Sequence, residues 1–109
     1  MITITGPAMR NNCAYVNTTA VSANVNTALE WKEDDNKTVI VIDASNSGTL
    51  TVFAGNGIQG AADLQCGYGP GINLIKLESG RFKNVSGVNK GKIIVKFSTG
   101  VNVGVVALV

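Results

Sequence analysis

Residues 72–98 read INLIKLESGRFKNVSGVNKGKIIVKFS, and this stretch decides the fold class. At its start Ile72, Leu74 and Lys76 alternate with Asn73, Ile75 and Leu77. At its end Ile93, Val95 and Phe97 line one face of a second alternating run. A period of two marks a β-strand, whose successive side chains point to opposite faces. Gly80, Gly87 and Gly91 lie between the two runs, and glycine favours turns. The pattern predicts a β-hairpin whose exposed part is basic, with Arg81, Lys83, Lys90 and Lys92.

The same reading extends outward. Thr99-Gly100 predicts a turn into residues 101–108, where Val101, Val103, Val105 and Ala107 share a face. This predicts a hairpin between residues 93–97 and 101–108. Residues 38–43 (TVIVID) are β-branched and apolar on both faces, as in a central strand. They are expected to pair centrally with the valine-rich C-terminal run. After the turn SNSG comes TLTVFA, residues 49–54, with Leu50 and Val52 on one side, which predicts a second hairpin with residues 38–43. Residues 1–5 (MITIT) read as a short strand, and residues 27–32 (TALEWK) as a strand or one helical turn. Residues 11–26 carry no charge and read as two weak strands or an extended arm. The expectation is an all-β fold, a small β-sandwich or partly open barrel of about 7–8 short antiparallel strands. Residues 1–109 form one domain, with residues 1–26 as an N-terminal arm or edge strands.

Only 15% of the residues are charged, against 45% hydrophobic, so part of the surface is expected to be hidden in an assembly. The net charge of +2 argues against a nucleic-acid partner. Its distribution is uneven. Glu30, Glu33, Asp34, Asp35 and Asp43 make the region around Trp31 acidic. Lys76, Arg81, Lys83, Lys90, Lys92 and Lys96 make the later region basic, opposed by Glu78. The first ten residues lack the basic start and apolar core of a signal peptide, and no apolar run is long enough to cross a bilayer. No membrane association is expected.

Motif chemistry is sparse. Gly55-Asn56-Gly57-Ile58-Gln59-Gly60 matches the dinucleotide fingerprint, but that chemistry needs a helix N-terminus directed at the pyrophosphate. The following AADLQCGYGPG leaves little room for a helix, so the glycines are read as positive-φ turn positions. The chain has no histidine, which removes Ser-His-Asp and Cys-His mechanisms and histidine metal sites. Glu33, Asp34 and Asp35 lack the spacing of a calcium loop. No catalytic residue, metal ligand or cofactor is expected. Phe82 between Arg81 and Lys83 reads as a buried strand residue with both bases on the opposite face.

Two segments, AGNGIQG at residues 54–60 and LESGRFKNVSGVNKGK at residues 77–92, resemble small head-decoration proteins of tailed phages and prophages. Together they cover about a fifth of the chain. The resemblance implies a non-enzymatic virion structural protein, a β-domain that binds and stabilises the outside of an assembled capsid. It implies the major capsid protein as partner, with a homo-oligomer or many copies on the capsid lattice. The location implied is the virion, with the host cytoplasm during assembly. Arg81, Lys83 and Lys90 are the partner-binding candidates. The alternative is a carbohydrate- or surface-binding β-sandwich module of a tail or head fibre.

Cys13 and Cys66 match no metal or redox spacing, and a core of this size needs no covalent staple. Alkylation without reductant should therefore label both thiols. An unlabelled chain two hydrogens lighter would show a disulfide instead.

Overall fold

The computed structural model describes residues 1–5, 8–9, 17–32, 35–57, 60 and 62–108. Among them are ten strands: β1 (Ile2–Ile4), β2 (Ala8–Met9), β3 (Thr19–Val21), β4 (Thr27–Glu30), β5 (Thr38–Ala44), β6 (Gly48–Val52), β7 (Leu64–Tyr68), β8 (Gly71–Ile75), β9 (Lys92–Phe97) and β10 (Val101–Leu108). One turn of 3-10 helix covers Asp35–Lys37, and a single-turn helix, α1, covers Ser79–Phe82. Sheet one has the order β1-β4-β9-β6-β7. Sheet two has the order β2-β10-β5-β8, with β3 also paired to β10. The fold is a small all-β sandwich, as periodicity predicts.

The inner faces follow from alternation. On β5, Thr38, Ile40, Ile42 and Ala44 are buried, while Val39 and Val41 are half-buried on the outer side. On β10, Val101, Val103, Val105 and Ala107 are buried. These two strands pair antiparallel over seven residues, from Val101 opposite Ala44 to Ala107 opposite Thr38, and form the centre of sheet two. Across from them sheet one presents Leu29, Leu50, Val52, Ile93, Val95 and Phe97, all fully buried. Each such side chain contributes roughly 1.5–3 kcal/mol by leaving water. Trp31, Leu77 and Phe82 belong to the same core cluster.

Three predicted hairpins do not form. β5 and β6 lie in different sheets, as do β8 and β9, and β9 and β10. In each case the chain crosses the sandwich instead of turning back beside itself. The reason is physical: alternation reports which side of a strand is buried, not which strand lies next to it. The last crossing is secured by side chains. Ser98 and Thr49 exchange bonds, the Thr49 N–H donating to Ser98 Oγ at 2.8 Å and the Ser98 N–H donating to the Thr49 carbonyl at 3.0 Å. The Thr99 N–H donates to the Tyr68 hydroxyl at 3.2 Å, and that hydroxyl lies 2.6 Å from Thr99 Oγ1. A Cβ at residue 48 would collide with the Tyr68 ring and hydroxyl, so Gly48 makes the room this clamp needs.

One further expectation is corrected. The pairing is not wholly antiparallel, because β1 runs parallel to β4 and β2 parallel to β10. Residues 27–30, read as a strand or one helical turn, form the strand, since pairing with β9 supplies backbone partners from Thr27 to Glu30. Of residues 11–26, β3 is paired to β10, while residues 11–16 lie outside the described residues, as does Cys13. Cys66 is a half-buried free thiol that packs against the core.

Phe97 is fully buried and meets Tyr68 edge-to-face, with ring centroids 6.1 Å apart. Phe97→Ala is expected to cost about 3–5 kcal/mol of unfolding free energy in urea. Asn102→Ala, on the exposed face of β10, should stay within about 0.5 kcal/mol of the parent.

Candidate functional site

The loops that follow β6 and precede β9 meet at one end of the sandwich. The Gly55 N–H donates to the Arg81 carbonyl at 3.0 Å. The Asn56 side chain bridges the two loops. Its Oδ1 accepts from the Val85 N–H at 2.7 Å, and its Nδ2 donates to the Ser86 carbonyl at 3.0 Å and Oγ at 3.4 Å. A Cβ at residue 55 would lie 2.5 Å from the Lys83 carbonyl oxygen, so only glycine permits this approach. Residues 54–57 and 81–86, far apart in sequence, thus form one folded unit.

The glycines of the fingerprint-like segment do this by closeness and not by unusual dihedrals. Positive φ falls instead at Gly71, Gly87 and Gly91, which corrects the positive-φ reading of Gly55, Gly57 and Gly60, while the turn is present, the Gly60 N–H donating to the Gly57 carbonyl at 3.1 Å. No helix follows the segment; β7 does. Ile58 and Gln59 lie outside the described residues.

Phe82 is buried, as expected, but on α1 and not on a strand. Arg81 lies on α1 and Lys83 just past its end, so the strand alternation that would set both bases on one face opposite Phe82 is absent. Arg81 is exposed, its guanidinium carbon 5.5 Å from the centroid of the Phe82 ring. Lys83 is half-buried just after α1, and Lys90 is exposed in the turn before β9. Asn84 holds that turn closed, its carbonyl accepting from the Gly91 N–H at 2.8 Å and its side chain donating to the Lys92 carbonyl at 3.1 Å. Between these bases the loop exposes Val85 (57%) and Val88 (93%). The unit therefore presents apolar tips beside Arg81 and Lys90. A groove of about 300 Å³ adjoins it, lined by Glu30, Trp31, Lys32, Lys90, Gly91 and Lys92.

Asp35 anchors α1 from below. Its carboxylate accepts from the Ser79 N–H at 2.9 Å and from Trp31 Nε1 at 2.9 Å. Burial pushes this carboxyl up. The bonds from Ser79 and Trp31 and the nearby charge of Lys83 outweigh burial and hold it below its ordinary value. In sequence Asp35 is one of the acids around Trp31; no local signal marks it as an anchor, because its partners are 4 and 44 residues away. Asn56 was equally hidden inside a motif with another meaning.

Among the described residues no group of three or more His, Cys, Asp and Glu could hold a metal ion, and no helix is long and apolar enough to cross a membrane. Glu33 and Asp34 lie outside the described residues. Trp31 and Tyr68 are buried, so neither offers the exposed ring on which a sugar stacks. In comparison with known proteins, no family model, curated protein or solved structure matches the chain.

A lowered Asp35 value means that its stabilising effect is complete above the unfolded-state pKa and is lost as pH falls through the folded one. The stability gap between the parent and Asp35→Asn should therefore be widest near neutrality and close as pH falls below the ordinary aspartate range. Unfolding followed by emission of Trp31, the one tryptophan of the sequence, measures it.

Proposed function

We propose that this chain is a non-enzymatic structural protein of a tailed-phage or prophage virion that binds and stabilises the outside of the assembled head. The observation that carries this reading is the convergence of residues 54–57 and 81–86, which belong to the two segments of the resemblance, on one loop unit through Asn56 and Gly55. Residues shared with a family only as a sequence pattern need not touch; these do, and they build a surface. That surface exposes Val85 and Val88 at its tips, with Arg81 and Lys90 exposed and Lys83 half-buried in the same segment. The partner is the major capsid protein, met by many copies of this chain on a repeating lattice. Weak single contacts then hold firmly, because many engage at once. Neither nucleic acid nor membrane takes part.

Purified protein should co-sediment with undecorated heads of its phage and raise their resistance to heat. Replacing Arg81, Lys83 and Lys90 together by Ser should weaken binding several-fold and flatten its salt dependence, with the far-ultraviolet spectrum unchanged. Binding that is unaltered at low salt would remove these bases from the interface. A protein confined to tails, or one that binds glycans and ignores heads, would return the fibre-module alternative.

A further inference from the structure

β8 is the outermost strand of sheet two and pairs only with β5 among the described residues. An edge strand presents a row of unpaired N–H and C=O groups, and proteins blunt such edges with charges, proline, bulges or a covering segment. The five residues of β8, GINLI, contain no charge and no proline. Two of them are large, apolar and exposed: Ile72 at 66% and Leu74 at 68%. Among the described residues this edge is unpaired and hydrophobic.

The register with β5 fixes what lies behind it. Ile72 is opposite Asp43 and Leu74 is opposite Val41. Continuing the same register sets Lys76 opposite Val39. Directly opposed residues share a face, so the outer side carries an apolar strip, Ile72, Leu74, Val41 and Val39. Asp43 stands at one end of the strip and Lys76 at the other, and both are exposed.

We infer that this edge is a self-association surface: β8 of one copy pairs antiparallel with β8 of a second copy about a two-fold axis at Leu74, joining the two sheets into one. An isologous contact must match a patch to itself in reverse. This patch does so. Antiparallel pairing at Leu74 sets Leu74 against Leu74 of the second copy. It sets Lys76 over Ile72 of the second copy, with Asp43 of that copy one strand further on, about 10 Å away across two strand spacings. The long lysine stem covers the isoleucine while its ammonium reaches toward the carboxylate. The two-fold repeats the arrangement, so both ends of the strip find the opposite charge. In the single chain the Lys76 ammonium donates to the Asn36 carbonyl at 3.0 Å, an exposed bond that is exchanged on pairing. The loop unit with Val85 and Val88 is a separate surface, so self-association does not depend on attachment to a head.

Sedimentation across about 10 μM to about 1 mM should show a monomer–dimer equilibrium. Leu74→Lys should raise the dissociation constant about tenfold or more. Lys76→Glu and Asp43→Lys should each weaken the dimer, and the two together should restore it. With Cys13 and Cys66 replaced by Ser, Leu74→Cys should oxidise to a disulfide-linked dimer. Ile72→Cys should not, because its two copies would sit about 14 Å apart. A chain that is monomeric at about 1 mM, a dimer indifferent to Leu74→Lys, or a double charge reversal without rescue would each overturn the inference. Oligomeric state is read in the free protein, so the outcome is independent of whether heads are bound.

Discussion

The pairing of β5 with β10 is the contact on which the rest of the molecule depends. Seven consecutive residue pairs align Ile40 with Val105 and Ile42 with Val103, so the two most β-branched runs of the chain turn one continuous apolar face toward sheet one. Every other strand of sheet two is attached to this pair: β8 on the β5 side, β2 and β3 on the β10 side. Sheet one is built to meet that face, with Leu50, Val95 and Phe97 fully buried against it. A slip of one residue between β5 and β10 would turn the buried valines to solvent, so burial and register enforce each other.

The crossings between sheets follow from this and have a functional consequence. Because β5 to β6, β8 to β9 and β9 to β10 each change sheet, their connecting segments gather at the ends of the sandwich. At one end the β8–β9 crossing, through residues 81–86, meets residues 54–57 of the β6–β7 connection by backbone bonds and the Asn56 amide. Asp35 ties the same unit to the core through Ser79 and Trp31. Side chains at the tip, Val85 and Val88, are thus displayed from a braced loop. A braced loop loses less conformational freedom on binding than a loose one, which favours a contact made of few residues.

The sparse charge of the sequence has a counterpart in where apolar side chains remain exposed. Val85 and Val88 project from the loop unit, and Ile72 and Leu74 from the β8 edge. Both sets adjoin basic residues, Arg81 and Lys90 in one case and Lys76 in the other.

The sequence by itself determined the fold class and the inner face of nearly every long strand. Ile40 and Ile42, Leu50 and Val52, Ile93, Val95 and Phe97, and Val101, Val103 and Val105 are buried where their alternation puts them. That success has a local cause, because a strand's period of two is a property of its own backbone. Tertiary structure alone decided which strands are neighbours, and it replaced three expected hairpins with crossings. It decided that Phe82 sits on a helical turn, since Asp35 lies 44 residues from the Ser79 amide it binds. It gave Asn56 its role through bonds to residues 29 and 30 positions away. It also left β8 at an edge, so that Ile72 and Leu74, which alternate like core residues, face solvent. Partners at such separations leave no periodic trace in the chain, and only the folded molecule brings them together.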